Sequence, residues 1–278
     1  MLAEARIFHV NVNCSDLDRS RAFYIDGCGL VEGARTSPEQ PQPGEAFGFD
    51  RAWWDAVILI GANGFDGGAI DLLQWLEPEP TGAPPAGLGR PGFQRVGVQV
   101  VDLDAAMARC AGPTAPGTDG LVRDPDGTCV ELVAGTSNRV AFVAVACADL
   151  DRSVAFYLAL GFREADRSSS PISPPSASEV VLDAPGGGEV QLRLVRLEPT
   201  SAVAPEARPA NALGMWRTAL LLPGLDAAVD RLRAADVELL SEPQAMSMGP
   251  GLPELHFVCF RGPDLEVIEL IEVPAPDA

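Results

Sequence analysis

HVNVNCSDLDRSRAFY, residues 9–24, and FVAVACADLDRSVAFY, residues 142–157, run in one register without a gap. Each copy ends on one of the chain's two tyrosines, Tyr24 and Tyr157. A match of this length identifies an internal duplication, so any site should occur twice, and the differences between copies should locate function. Each copy begins with alternating residues, a strand signal. In the first copy Val10, Val12 and Cys14 fall on one face, and His9, Asn11 and Asn13 on the other. Asp16 and Asp149 then stand where a helix N-cap belongs, ahead of Leu-Asp-Arg-Ser.

Outward from the first copy, strands are expected around Ala56–Ile60 and Ala69–Leu76, joined by a glycine-rich turn over residues 61–68. A Pro/Gly-rich linker covers residues 77–92, after which the pattern restarts with a strand at Gln94–Val101 and a short helix from Asp102. Asp124-Pro125-Asp126-Gly127 forms a tight turn into the strand Thr128–Val133. The second half repeats this order. It has a Ser/Pro-rich loop over residues 168–178, a linker over 198–213, a strand at Trp216–Leu222, and a Gly262-Pro263-Asp264 turn into Glu266–Glu272. The chain thus reads as α+β, with four strand–helix–strands modules. Two consecutive domains are expected: residues 1–136 (modules 1–76 and 93–136) and 137–278 (modules 137–197 and 214–278). A helix covers one sheet face, and the other face of paired modules curls round a cavity.

The 278 residues carry a formal net charge of −19, which disfavours nucleic acid as a partner because phosphate binding needs basic surface. Colloidal solubility accounts for this charge, and a groove attracting a cationic ligand is the sharper alternative. No apolar run is long enough to span a bilayer and no signal pattern opens the chain, so a soluble cytoplasmic protein is expected. All 20 basic residues are arginine, which excludes a lysine Schiff base or lysine general base. Only His9 and His256 are histidines, so one chain cannot build a three-histidine site. The six cysteines form no CxxC pair, and Cys14 and Cys147 suit small buried hydrophobes.

Four modules with D-L-D-R-S-x-x-F-Y after the first strand and D-P-D-G-x-x-x-E-L before the last resemble the vicinal oxygen chelate superfamily. That superfamily includes glyoxalase I, extradiol dioxygenases and bleomycin resistance proteins. The resemblance covers essentially the whole chain and implies four βαβββ modules in two tandem domains, with curled mixed sheets around cavities. It says little about reaction, because the fold hosts many chemistries. It implies ligand positions on the first strands, here His9, Arg95, Phe142 and Arg217, and on the last strands, Glu131 and Glu269. Asp71 and Gln191 are the nearest counterparts in modules one and three. Arginine has no lone pair to give a metal and phenylalanine cannot ligate. No metal ligand set is therefore assigned, and the donors left for a divalent metal are His9 with Glu131 or Glu269. Adjacent modules would join His9 to Arg95 and Glu131, whereas outer modules would join His9 to Arg217 and Glu269.

Cavity-facing parity assigns His9/Asn11/Asn13, Arg95/Gly97/Gln99, Phe142/Ala144/Ala146 and Arg217/Ala219/Leu221. His9, Glu131 and Glu269 are the candidate acid/base residues. Asn11, Asp71, Trp75, Arg95, Gln99, Arg217 and His256 are the candidate ligand contacts. A self-satisfied alternative pairs Arg95 with Glu131 and Arg217 with Glu269. Met246 and Met248 suit either a flexible lid or a plain surface loop. The functional expectation is a small-molecule enzyme, metal-independent or weakly metal-dependent, with isomerase or lyase chemistry of the kind found in natural-product tailoring. The alternatives are a binding protein that sequesters an antibiotic or metabolite, and a metal-dependent glyoxalase-type lyase. The partner is a small organic molecule. A monomer is expected, with a homodimer as the alternative. Of the two sites, the one containing His9 is expected to carry function.

Overall fold

Alternating stretches form strands and the Asp-Leu-Asp runs form helices, in the order of the repeat. The structure is a computed structural model describing residues 1–110, 120–165, 179–197 and 203–273. The Ser/Pro-rich loop over 168–178 and the start of the second linker lie outside the described residues. Module one contains β1 (Arg6–Asn13), α1 (Leu17–Ala22) with a following π turn (Phe23–Gly27), β2 (Val31–Thr36), β3 (Gln42–Pro43), β4 (Arg51–Gly61) and β5 (Gly64–Glu77). Module two contains β6 (Gly92–Val100), α2 (Leu103–Cys110), β7 (Leu121–Arg123) and β8 (Cys129–Ala134). Module three contains β9 (Arg139–Cys147), α3 (Leu150–Leu160), β10 (Arg163–Glu164), β11 (Glu179–Asp183) and β12 (Gln191–Arg196). Module four contains β13 (Gly214–Leu221), α4 (Leu225–Ala234), β14 (Gln244–Met246), β15 (Leu255–Arg261) and β16 (Val267–Glu272).

The outer modules share one sheet, ordered β14-β15-β16-β13-β1-β5-β4-β2, with β3 pairing β4. The inner modules share the other, ordered β10-β11-β12-β9-β6-β8-β7. In each, two first strands meet antiparallel, β1 on β13 and β6 on β9, and each runs parallel to its own module's last strand. Residues 1–136 and 137–278 therefore describe the repeat, but neither half encloses a sheet of its own. Pairing within each half, one with two and three with four, does not occur: module one pairs with four, and two with three. Modules built on one strand–helix–strands pattern carry no local signal for which partner they choose, so the repeat alone could not decide it.

The halves are tied instead by the motifs that define them. Asp16 and Asp149 cap their helices by accepting from the backbone of Arg19 and Arg152. Ser15, just before α1, donates from its backbone N–H and its hydroxyl to Asp126 of the module-two turn, at 2.9 and 2.6 Å. In the second half Ala148 N–H and the Ser153 hydroxyl donate to Asp264 at 2.8 and 2.7 Å. Tyr24 donates to Asp124 at 3.1 Å and Tyr157 to Glu266 at 2.6 Å. Each helix-start motif thus holds the following module's turn, across the two sheets.

The helix-facing sides of both sheets form one apolar core. It contains Val10, Val12 and Cys14 with their counterparts Val96, Val98 and Val100, Val143, Val145 and Cys147, and Leu220 and Leu222. Burying each large aliphatic side chain contributes about 1.5–3 kcal/mol. Burial pushes the Cys14 and Cys147 thiols up to about 12, as expected of thiols used for packing. No helix among the described residues is long and apolar enough to cross a membrane.

Candidate functional site

All four first strands bulge at the same repeat position. The extra residues are Phe8 on β1, Gln94 on β6, Ala141 on β9 and one residue of the Trp216–Arg217 pair on β13. A bulge turns two consecutive side chains toward one face. Phe8 and His9 accordingly both line the outer cavity, and Trp216 packs on Phe47 of the cavity wall on the same side as Arg217. The cavity holds about 360 Å³, and its walls include Phe47, Trp54, Phe65, Trp75, Phe257 and Met246.

Its polar floor comes from four strands. Arg217 (β13) donates from Nη2 to Asp71 (β5) at 2.8 Å and from Nε to Glu269 (β16) at 2.9 Å. His9 Nε2 lies 3.4 Å from Glu269 Oε2 and 3.7 Å from Asp71 Oδ2. All four side chains are buried. Burial would raise Glu269, but Arg217 and His9 outweigh it and hold the carboxyl below its ordinary value. Burial likewise pulls Arg217 down, and Glu269 and Asp71 more than offset it. With a neutral imidazole the cluster carries one net negative charge, and protonating His9 would cancel it. Neither His9 nitrogen has a hydrogen-bond partner, and neither does Arg217 Nη1. The site therefore has acid/base and donor capacity left for a ligand.

The inner site is filled from within. Arg95 (β6) bonds Glu131 (β8), and donates from Nη2 to Glu179 (β11) at 2.8 Å. The Arg193 guanidinium (β12) lies 3.9 Å from the centre of the Phe142 ring, which is fully buried. Two arginines and two glutamates balance. The self-satisfied alternative thus describes the Arg95–Glu131 and Arg217–Glu269 pairs; Arg193 Nε and Nη2 are buried without a partner in the inner site, and in the outer site the unpaired atoms of His9 and Arg217 stand beside a cavity lined with aromatics.

Of the expected residues, the structure gathers His9, Asp71, Trp75, Arg217 and Glu269 at one cavity. Glu131, Arg95 and Gln99 belong to the other sheet, so they do not join His9. Asn11 sits behind the floor and donates to Asp71 Oδ2 at 3.3 Å. Asn13 donates to the Ala210 and Ala212 carbonyls at 2.7 and 2.8 Å and accepts from the Trp75 indole at 3.2 Å, so it anchors the linker. His256 has a half-exposed side chain near Glu254 and does not line the cavity, whereas its neighbour Phe257 does. In module three the last-strand counterpart of Asp71 is Arg193, not Gln191. Asp71 pairs with Asn11, and Arg193 pairs with Ala144, the residue at Asn11's repeat position. Met246 and Met248 both line the cavity, and Gln42 bonds the Ser247 backbone between them through both ends of its amide. Phe8, Phe47, Phe257 and Glu179 carried no motif signal. The bulges account for Phe8, because strict alternation turns it away from the cavity.

His9, Asp71 and Glu269 are side chains of the metal-ligating kind, but the cation among them is Arg217, which takes an oxygen of each carboxylate and has no lone pair to give. Among the described residues no three His, Cys, Asp or Glu side chains are placed to hold a metal as they stand. These residues do not fit a divalent ion, and His9 with Glu131 is not a donor pair at all.

Residues 139–270 match the Glyoxalase/Bleomycin resistance protein/Dioxygenase superfamily. No curated protein matches the chain. Among solved structures, glyoxalase I from Zea mays is similar with a TM-score of 0.66 and 19% identity, over 96% of this chain and 92% of that one. A putative dioxygenase from Bacillus subtilis subsp. subtilis str. 168 is similar with a TM-score of 0.63 and 14% identity, over 99% and 87%. At these identities the likeness is one of fold, and it extends over all four modules.

Proposed function

Because residues 139–270 belong to the Glyoxalase/Bleomycin resistance protein/Dioxygenase superfamily and the whole chain shares that fold, we propose that this protein is a small-molecule enzyme working by proton transfer in its outer cavity. The observation that carries the reading is His9: a buried imidazole on the floor of a cavity with aromatic walls, with no hydrogen-bond partner on either nitrogen. A buried polar group left unpaired costs about 1–3 kcal/mol, a cost that a bound ligand would remove. The ligand has an apolar or aromatic body of modest size, set by the walls and the 360 Å³ volume. His9 takes or gives the proton. Glu269 and Asp71, 3.4 and 3.7 Å away, stabilise the imidazolium that forms. Arg217 faces charge developing on a ligand oxygen. Isomerisation and lyase-type eliminations both begin with such a transfer. One chain supplies all four strands of the floor, so a monomer would be complete.

The test is solvent deuterium exchange. Aryl and alkyl ketones that raise the melting temperature are incubated with protein in D₂O and followed by proton NMR. Exchange at the carbon beside the carbonyl is expected with the native chain and should be lost in His9→Ala, which should still bind. Ligands that bind and never exchange would replace this reading with the second one, a sequestering protein. That second reading draws on one observation: Arg217 already neutralises an oxygen of each carboxylate, which weakens both as bases.

A further inference from the structure

In the outer site, three side chains of the ligating kind surround one cation. His9 Nε2 stands 3.4 Å from Glu269 Oε2 and 3.7 Å from Asp71 Oδ2. Two atoms bound to one divalent ion at about 2.1 Å stand roughly 3.0 Å apart at a right angle and roughly 3.4 Å apart at the tetrahedral angle. The spacing is therefore within a few tenths of an ångström of co-ligands sharing an ion. The charges agree. Two buried carboxylates need a cation between them, and Arg217 supplies it at 2.8 and 2.9 Å. Its third nitrogen, Nη1, is buried without a partner in a side chain that lines the cavity. No other residue among those lining the cavity is basic apart from His9.

We infer that Arg217 is a built-in cation standing where a divalent ion would stand, holding Asp71 and Glu269 in place and offering Nη1 to an oxygen acceptor on the ligand, such as a carbonyl. Replacing it with a short neutral donor should uncover a divalent-metal site made of His9, Asp71, Glu269 and the new side chain. This concerns the cation and not the reaction, so it stands or falls separately from proton transfer by His9.

The experiment titrates CoCl₂ alone into the full chain, purified without a metal-affinity tag, and reads stoichiometry by calorimetry and melting temperature by scanning. The native chain should bind no cobalt at this site and keep its melting temperature. Arg217→His should melt lower than the native chain without metal, since two buried carboxylates lose their counter-charge. It should then bind one cobalt and regain several degrees, because a ligand held only by the folded state stabilises it. Adding His9→Ala to Arg217→His should weaken that cobalt more than about ten-fold. If Arg217→His fails to fold, Arg217→Gln is titrated in its place. One tightly bound cobalt in the native chain, lost in His9→Ala, would overturn the inference. So would a folded Arg217→His or Arg217→Gln protein that gains no cobalt.

Discussion

Tyr157 donates a 2.6 Å hydrogen bond to Glu266, and both groups are buried where α3 meets the module-four turn. Burial is the main force pushing the Glu266 carboxyl up, to about 7, with Asp264 adding to it and the Tyr157 bond opposing it. An unfolded glutamate titrates near about 4.3. Between these values the folded chain keeps a proton that the unfolded chain has released. This group's stabilising contribution is therefore complete below the unfolded value and falls as pH rises toward 7. The loss is on the order of 3 kcal/mol. Glu266→Gln should remove it, so the gap in urea midpoint between variant and native chain should shift in the variant's favour from pH 4.5 to 8. A constant gap across that range would show that Glu266 titrates normally.

His9 and Arg217 share the floor but should respond oppositely to truncation. His9 makes no hydrogen bond and only approaches Glu269, at 3.4 Å, so His9→Ala should cost much less stability than Arg217→Ala while lowering turnover about 10²–10⁴-fold. Arg217 is bonded to two buried carboxylates, so Arg217→Ala should cost about 3–5 kcal/mol. Denaturant titrations of the two variants, side by side, check the contrast. A large loss in His9→Ala would mean that the imidazole is structural.

The module order, the helix-facing Val, Val, Cys side and the special position of His9 were all legible in the repeat, because period two and an N-cap are local signals. What the sequence could not show depends on distance or on broken alternation. Module pairing joins first strands far apart in the chain, β1 with β13, through backbone hydrogen bonds that leave no mark in the residue pattern. Phe8 and Trp216 reach the cavity side only because bulges interrupt the period, and the counterpart of Asp71 in module three lies two residues beyond Gln191, at Arg193. His256 lies on the unbroken strand β15, whose alternation turns its neighbour Phe257 to the cavity instead. Asp71 and Arg217 were recognised singly, but their 2.8 Å ion pair joins residues 146 positions apart and has no local signature.

Asn13 differs from its repeat counterpart Ala146, but it marks the linker and not the ligand. Its amide holds the carbonyls of Ala210 and Ala212 and the Trp75 indole, all buried. Asn13→Ala should cost about 2–3 kcal/mol, with ligand affinity affected only as far as Trp75 shifts. Melting curves with and without ligand would separate the two effects. A stability change below about 0.5 kcal/mol would mean that water replaces the amide.

Gly97 makes room for the Phe142 ring in the inner site. A Cβ on this residue would lie 2.1 Å from the Phe142 ring, so the ring occupies the space that a side chain on β6 would need. The ring cannot retreat, because the Arg193 guanidinium covers its face at 3.9 Å and Arg193 is itself buried. Gly97→Ala should therefore destabilise the chain by about 1–3 kcal/mol, the usual cost of overpacking a filled interior. It should leave ligand affinity in the His9 cavity unchanged, because Gly97 belongs to the other sheet. Equilibrium unfolding and ligand titration of this one variant check both parts. If affinity falls along with stability, the two sheets are coupled and the inner site does more than pack.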